Sequence, residues 1–463
     1  MFMETIYTPG VAHLSYILGD AGQAAVIDPR RDTGVYWDIA DRHGARITHV
    51  FETHRNEDYV TGSLDLARTA FAEIYHGHQL DFQYGNPVRE GDAFQLGQAK
   101  LSILETPGHT PESISIVYRD LEFSDDPLGV FTGDALFIGD VGRTDFFPDR
   151  AEEVAGMLYD SIFQKLLALG DHVLLWPAHG AGSVCGSGMA DRNFSTLGYE
   201  RRHNPALQQK DRKAFIAYKL AEDHFYPPYF QKMEQYNLEG PPPLAELPRP
   251  KSLVPEDFVR AMEDGMQVVD VRSPEAYAGA HLPASFSLPL KMLPAFAGMF
   301  LEYTRPLGLV VEDDSQIGEA VRGLVRIGYD HVAAFLAGGL HAWETSGLRY
   351  ERIPAIHIKD LEKRIEAGDR FTLLDVRSRE EFQSGHLPGA KQVFVGDLPQ
   401  KIDQIADGRP VTTYCNSGQR AMIAASLLRQ HGIQPVENCL GSMAACRSLA
   451  CDMVAEAAPG TAK

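Results

Sequence analysis

The second half of the chain contains an internal repeat, and this repeat limits the fold more than any other feature of the sequence. The segment VVDVRSPEAYAGAHLPAS (268–285) returns 105 positions later as LLDVRSREEFQSGHLPGA (373–390). A period of this length is too long for the units of a solenoid and is typical of two tandem small domains. We therefore predict two copies of one α/β domain, a middle domain at 256–350 and a third domain at 351–463.

The first half of the chain alternates short apolar runs with helical patterns. Apolar runs that end at polar loops predict strands at 24–29, 47–53, 100–106, 113–118, 128–134 and 172–179. Residues 150–169 have apolar side chains at helical spacing and predict an amphipathic helix. Residues 226–255 are rich in proline and predict a linker without long regular structure. The first domain is accordingly expected at 1–225.

Composition excludes several classes of function for these 463 residues. The formal net charge of −20 argues against a nucleic-acid-binding surface or one that binds anionic membranes, since both need basic patches. No apolar run approaches the ~18–20 residues that a membrane span requires. The five cysteines have no regular spacing, so they do not predict a disulfide framework, and reduced thiols indicate a cytoplasmic setting.

Three loops in the first half carry side chains that bind metals. The loops are THRNEDYVTG (53–62), TPGHTPES (106–113) and FTGDALFIGD (131–140), and the candidate ligands are His54, His109 and Asp134. Two imidazoles and one carboxylate with open positions form the ligand set of non-haem Fe(II) sites that use oxygen. Zinc stays an alternative, because the same three ligands also suit zinc.

The first of these loops departs from HxHxDH, the loop that supplies two metals in binuclear hydrolases. Asn56 and Tyr59 stand where that loop has its second and third His. A second metal has therefore lost ligands, whereas the ligands of one metal remain. His179, which would bind the second metal in such a hydrolase, and Asp58 are interpreted as groups that hydrogen-bond and orient the ligands. Tyr59 either places a phenol near the metal or packs in the core.

The third domain carries a candidate nucleophile in YCNSGQRA (414–421), which precedes a helical pattern. Inward-facing N–H groups, a helix N-terminus and Arg420 would together stabilise a thiolate or persulfide on Cys415. In the middle domain, Val311 and Gln316 align with Cys415 and Arg420, and the loop VEDDSQIG is acidic. We predict that the middle domain is inactive and has a scaffold or interface role.

These segments, together with PAHGAGS (177–183), resemble known families. The first half is similar to the persulfide dioxygenase branch of the metallo-β-lactamase fold, and each repeat resembles a rhodanese domain. The order of domains resembles the bacterial persulfide dioxygenase–rhodanese fusions of sulfide detoxification. This resemblance implies an α/β protein with an N-terminal αββα sandwich and two tandem rhodanese-like α/β domains. It also implies one Fe(II) per chain, bound by His54, His109 and Asp134.

The resemblance further implies a reaction and its partners. A low-molecular-weight thiol persulfide, O2 and water would give the thiol and sulfite. Cys415 would carry sulfur to sulfite to form thiosulfate, or would supply persulfide in the reverse direction. The family binds the thiol carrier near the positions of Arg143 and Arg201, although an ordinary surface ion pair explains these arginines equally well. Cys185 is either a sulfur relay or an inert residue.

Other expectations concern partners and alternatives. Relatives of this fold often self-associate, so a homo-oligomer is expected. The alternative enzyme is a zinc-dependent thioester hydrolase of the glyoxalase II type. The alternative without catalysis is a sulfane-sulfur carrier that uses Cys415 alone. Glutathione, coenzyme A, bacillithiol and cysteine all stay open as the thiol carrier.

Overall fold

The computed structural model describes residues 1–183, 186, 188–405 and 407–455. Its contacts divide the chain into two compact units. The first unit comprises Met1–Leu247 together with Val325–Gly328, and the second comprises the chain from Pro248 onward without those four residues. Cys185 lies outside the described residues, so its role as a sulfur relay stays a prediction.

The first unit contains two six-stranded sheets. The first sheet follows the chain from β1 to β6: Phe2–Thr8, His13–Asp20, Gln23–Ile27, Arg46–Phe51, Glu73–Gly77 and Asn86–Val88. The second sheet runs in the order β12-β11-β10-β9-β8-β7, and its strands β7 to β12 are Ala93–Leu96, Ala99–Glu105, Ile114–Asp120, Gly129–Gly133, Leu174–Pro177 and Ser195–Thr196. The predicted apolar runs therefore form strands of these two sheets.

The core of the first unit lies between its sheets. Leu14, Phe51, Leu101 and Phe131 are buried in one cluster that draws on both sheets. Helices cover the outer faces and are, from α1 to α6, Gly34–Arg42, Ser63–Ala70, Ala151–Asp160, Leu197–His203, Arg212–Leu220 and Phe230–Glu239. Helices α1 and α2 pack on the first sheet, whereas α3 and α5 pack on the second. This arrangement is the expected αββα sandwich.

Two predicted segments differ in detail. The helix predicted at 150–169 is α3 followed by a wider π-helical turn at Ser161–Leu166. The predicted linker at 226–255 is wrong for its first part, because it contains α6 and the first unit extends to Leu247. The prolines lie before and after α6, and Gly240 ends it with φ of 95°, so none of them interrupts the helix.

The second unit contains two five-stranded parallel sheets. Strands β13 to β17 are Lys251–Leu253, Gln267–Asp270, Ser285–Ser287, Leu307–Val310 and Val332–Leu336, in the order β13-β17-β16-β14-β15. Strands β18 to β22 are Ala355–Ile356, Thr372–Asp375, Lys391–Gln392, Val411–Tyr414 and Val436–Cys439, in the order β18-β22-β21-β19-β20. The two orders are equivalent strand for strand, as the internal repeat predicts.

Helices surround both sheets of the second unit. Helices α7 to α11 are Pro255–Glu263, Pro274–Gly279, Leu293–Phe300, Ile317–Arg326 and Gly339–Thr345. Helices α12 to α16 are Ile358–Glu366, Arg379–Gln383, Leu398–Lys401, Gln419–Gln430 and Ser442–Ser448. Among the helices of both units, within the residues given above, none is long and apolar enough to cross a bilayer.

A buried ion pair explains the repeated DVRS sequence. In the middle domain, Arg272 donates to both carboxylate oxygens of Asp270 and, at 2.8 Å, to the carbonyl of Ala280. In the third domain, Arg377 makes the same contacts with Asp375 and, also at 2.8 Å, with Gly385. The pair fixes the turn between the first helix of each repeat and its next strand. The repeat therefore reflects the fold and is present in both domains.

Candidate functional site

The ends of the strands bring the candidate ligands together. His54 follows β4, His109 lies between β8 and β9, Asp134 follows β10 directly, and His179 follows β11. All four side chains are buried. Gly133 allows two ligand loops to approach each other, since a Cβ at this position would lie 2.6 Å from Thr53 Oγ1 and its φ is +53°.

The three predicted ligands form one group. One ligand atom each of His54, His109 and Asp134 lies within 4.8 Å of the others. The distance from Asp134 Oδ2 is 3.7 Å to His54 Nε2 and 3.6 Å to His109 Nε2. Atoms at these separations can share one ion at the bond lengths of ~2.0–2.2 Å that imidazole and carboxylate ligands adopt.

Hydrogen bonds fix the orientation of both imidazoles. Nδ1 of His109 donates to the carbonyl of Arg143 at 3.0 Å. Thr53 gives its hydroxyl hydrogen to Asp28, so its oxygen accepts from Nδ1 of His54 at 2.9 Å. Because Nδ1 carries the hydrogen in both rings, both Nε2 atoms present a lone pair to the group.

His179 joins the third ligand to a second carboxylate. Its Nδ1 donates to Asp134 Oδ1 at 2.8 Å, and its Nε2 lies 2.9 Å from Asp58 Oδ2. Asp58 therefore contacts an imidazole outside the three-ligand group. The prediction that Asp58 orients a ligating imidazole does not match this geometry. Asp58 holds His179, and His179 in turn holds the carboxylate ligand.

Burial and charge set the protonation of these groups. Burial lowers the pKa of His54 to about 4, which leaves its Nε2 unprotonated at neutral pH. Burial opposes the charge on His179, but Asp134 and Asp58 outweigh it and raise the pKa of His179 well above its usual range. The same burial raises the pKa of Asp134, and the neighbouring imidazoles lower it by more, so it stays ionised.

The two residues that replace the second-metal ligands have other contacts. Asn56 donates its side-chain amide to the carbonyl of His54 at 3.2 Å. The ring of Tyr59 packs on His13 with centroids 4.1 Å apart, which is the packing alternative predicted for Tyr59. His13 lies on β2 and was not singled out by the sequence, because a buried His in an apolar strand carries no metal-site pattern.

Two further residues complete the site without a sequence signal. Asn237 of α6 donates to the carbonyls of Asn56 and Tyr59, both at 2.7 Å, and so fixes the loop that carries His54. Glu57 places Oε1 3.1 Å from Nε2 of His109. Asn237 is distant in sequence, and Glu57 occupies a position that HxHxDH leaves unspecified.

The predicted arginines of the first unit lie in different surroundings. Arg143 is fully buried and its guanidinium forks onto Asp145 at 2.6 and 2.7 Å. Arg201 is exposed on α4 and donates to Asp171 and to the carbonyl of Leu167. Arg143 reaches the metal ligands through its carbonyl. Substrate binding by either side chain stays a prediction.

The second candidate site surrounds Cys415, directly after β21. The N–H of Gly418 donates to Sγ of Cys415 at 3.1 Å, and the N–H of Cys415 donates to Ser442 Oγ at 3.1 Å. The thiol is buried, with 1% of the residue exposed. Arg420 forks onto Glu381 at 2.6 and 2.7 Å, so contact of Arg420 with a substrate stays a prediction.

The corresponding loop of the middle domain is closed by its own side chain. Val311 is buried directly after β16, at the position equivalent to that of Cys415 after β21. The amide oxygen of Gln316 accepts from the N–H groups of Glu312 and Asp313 at 3.1 and 3.4 Å. These N–H groups therefore bind a side chain of the loop and are not directed at a sulfur atom.

Comparison with known proteins agrees with this architecture. The family model of the metallo-beta-lactamase superfamily matches residues 8–179. The model of the rhodanese-like domain matches twice, at 254–346 and 357–448. A solved metallo-beta-lactamase from Staphylococcus aureus superposes with a TM-score of 0.66 at 31% identity, covering 73% of this chain and 99% of that chain.

Two curated relatives match the first half of the chain. The mitochondrial persulfide dioxygenase ETHE1 of Bos taurus is 30% identical over 216 residues, which cover 45% of this chain and 76% of the relative. The hydroxyacylglutathione hydrolase GloC of Haemophilus influenzae is 28% identical over 218 residues, covering 42% of this chain and 92% of the relative. From these matches and the order of its domains, the chain belongs to the ETHE1-type persulfide dioxygenase family of the metallo-β-lactamase superfamily, with two tandem rhodanese-like domains fused behind the dioxygenase-like domain.

Proposed function

We propose that the protein is an iron-dependent persulfide dioxygenase coupled to sulfur transfer. At the first site, RSSH, O2 and H2O would give RSH, sulfite and two protons. The observation that carries this proposal is the buried group of His54, His109 and Asp134, which offers ligands for one metal. The residues that replace the second-metal ligands have contacts of their own, which favours a single ion.

The three residues fit an Fe(II) ion by their chemistry. Nε2 of His54 is a buried polar atom without a hydrogen-bond partner among the residues that the structure describes, and it presents a lone pair. Two imidazoles and a carboxylate on one face are the ligands of non-haem iron oxygenases. When bound, the iron supplies a centre at which a sulfur anion and dioxygen meet.

The chain's own groups would prepare this site. The carbonyl of Arg143 and the hydroxyl of Thr53 hold the two imidazoles with Nε2 toward the ion. Charged His179 holds Asp134 in its ionised form, so that no proton competes with the ion. The burial of all these groups excludes water, which strengthens their electrostatic interaction with the ion.

Sulfur transfer would occur separately at Cys415. The thiol takes the outer sulfur of RSSH, giving Cys–SSH and RSH, and Cys–SSH passes that sulfur to sulfite, giving thiosulfate and the free thiol. The N–H of Gly418, 3.1 Å from Sγ, stabilises negative charge on the sulfur during both steps. The middle domain supplies no thiol, which is consistent with a structural role.

The similarity to a hydroxyacylglutathione hydrolase keeps a zinc-dependent thioester hydrolase as the alternative enzyme. Such an enzyme would hold two zinc ions and would consume no oxygen. The carrier alternative uses Cys415 alone and needs no metal. The three functions therefore differ in metal content and in oxygen uptake.

Metal analysis and an oxygen electrode test the proposal together. We expect one iron per chain and oxygen consumption with a panel of persulfidated thiols: glutathione, coenzyme A, bacillithiol and cysteine. His54→Ala and His109→Ala should lose both iron and oxygen consumption. Cys415→Ser should keep both and lose the formation of thiosulfate.

His49→Ala is the matched control, because His49 lies on β4, the strand that leads to His54, and is outside the ligand group. It should keep iron and oxygen consumption. Two zinc ions per chain, with thioester hydrolysis and no oxygen uptake, would establish the hydrolase instead. Unchanged sulfur transfer without any bound metal would establish the carrier.

A further inference from the structure

Glu57 adds a second carboxylate to the three-ligand group. Its Oε1 lies 3.1 Å from Nε2 of His109, and both side chains are at most 2% exposed. The group of mutually close ligand atoms does not itself include Glu57. The carboxylate therefore lies beside the His109 edge of the group.

The backbone around Glu57 is held firmly on both sides. Asn237 donates to the carbonyl of Asn56, which precedes Glu57, and to the carbonyl of Tyr59, two residues after it. Asn237 is itself buried, with 1% exposure. The loop thus keeps the Glu57 side chain beside the ligands, where a change of its rotamer is the main freedom left.

The distance and the charge both favour binding of a metal by Glu57. Adjacent ligand atoms on an octahedral ion with bonds of ~2.1 Å lie about 3.0 Å apart, close to the 3.1 Å between Glu57 Oε1 and His109 Nε2. A dication on His54, His109 and Asp134 alone would leave one positive charge in a buried site. A second carboxylate neutralises that charge.

We propose that Glu57 is a fourth protein ligand of the metal, so that the site is two imidazoles and two carboxylates. This inference rests on the metal site proposed above and deepens it. A six-coordinate ion would keep two open positions, as many as a sulfur anion and dioxygen need. A four-coordinate zinc would have all its positions filled by protein and would keep none for a hydrolytic water.

Mn²⁺ is a suitable probe because it takes the same ligands and relaxes the protons of the waters that it binds. The full chain, freed of metal and loaded with Mn²⁺, should show about two exchangeable waters by proton relaxation. Glu57→Gln should show about three. Glu57→Asp should also show about three, because it keeps the charge and is one methylene too short to reach the ion.

Glu112→Gln is the matched control. Glu112 is a buried carboxylate in the neighbouring loop, and its Oε1 accepts from the Arg55 N–H and the Thr110 hydroxyl, contacts that a glutamine oxygen can keep. It should show two waters like the wild type. Circular dichroism of each variant would show that the fold is retained.

The outcomes separate this inference from the proposed function. Three waters in the wild type, or the same count in the wild type and Glu57→Gln, would exclude Glu57 as a ligand even if persulfide oxidation is observed. Two waters that become three in Glu57→Gln support Glu57 even if persulfides are not oxidised. Failure of the wild type to bind Mn²⁺, with no effect of His54→Ala, would overturn the metal site and this inference together.

Discussion

At the scale of single residues, the first site depends on a cation that lies between two anions. His179 lies 2.8 Å from Asp134 and 2.9 Å from Asp58, and all three side chains are buried. Removing one partner of a buried charged group leaves the others without compensation and is costly. The ligand Asp134 is therefore supported by a residue that it does not contact directly, namely Asp58.

We predict that Asp58→Asn lowers the affinity for Fe(II) by roughly 10–100-fold, the usual effect of losing a group that orients a metal ligand. His179 would lose the carboxylate that keeps it charged and directed at Asp134. Competition with a chelator measures the affinity. Asp65→Asn is the control, because Asp65 is a buried carboxylate on α2 that pairs with Arg68. Wild-type affinity in Asp58→Asn would show that Asp58 serves packing alone.

A second residue-scale prediction concerns pH and His281 of the middle domain. Its ring stacks on Tyr277 with centroids 3.9 Å apart, and burial lowers its pKa to about 4. In an unfolded chain the pKa is about 6.5. Between these values the unfolded state binds more protons, so the free energy of unfolding falls as pH drops from 6.5 to 4.

His281→Gln should remove this contribution, which is on the order of 3 kcal/mol across that window at about 1.4 kcal/mol per pKa unit. Guanidinium unfolding of the wild type and the variant at pH 7.5 and pH 4.5 measures the difference. His341→Gln is the control, because His341 is exposed in the same domain. If the wild type and His281→Gln lose stability equally on acidification, His281 does not titrate as proposed.

At the scale of elements, α15 both begins at the Cys415 loop and depends on a glycine there. Gly418 precedes α15 with φ of +99°, and a Cβ on it would lie 3.2 Å from Leu440 Cα. Gly432, after the other end of the helix, has φ of +77° and open space around it. The two glycines share a backbone conformation and differ in what surrounds them.

We predict that Gly418→Ala abolishes sulfur transfer, whereas Gly432→Ala leaves it intact. Each substitution costs about 1–2 kcal/mol for the left-handed backbone. Only Gly418→Ala also moves the N–H that contacts Cys415 Sγ. Thermal unfolding and an assay of thiosulfate formation give the two readouts. Equal loss of sulfur transfer in both variants would mean that helix stability, and not the position of the N–H group, limits the reaction.

The elements also show which features a sequence can predict. Strands that end at polar loops were predictable, because apolar runs and the ligand residues after them are local patterns, and β4, β8 and β10 lead to the ligands as expected. The contacts of Asn237 with the His54 loop were not predictable, since they join residues about 180 positions apart. The helix α6 was missed because prolines on both sides of it were taken as evidence against regular structure.

At the scale of the whole second unit, the inactive middle domain contacts the helix that follows the active loop. Ser426 of α15 accepts a hydrogen bond from the N–H of Ser287 on β15 at 3.2 Å. Gln430 of α15 donates to the carbonyl of Ser285 at 3.1 Å, and Arg429 pairs with Glu351 at 2.8 Å. The middle domain therefore supports α15 along its outer face, which gives physical content to its predicted scaffold role.

We predict that the middle and third domains unfold together and that Ser426→Phe weakens both. A phenylalanine at this buried position overpacks the contact with β15 and costs about 1–3 kcal/mol. Hydrogen exchange should then lose protection in β14 and β15 of the middle domain, although the substitution lies in the third. Ser448→Phe is the control, because Ser448 is exposed on α16. Loss of protection confined to the third domain would show that the two domains are independently stable, and the scaffold role would have to be abandoned.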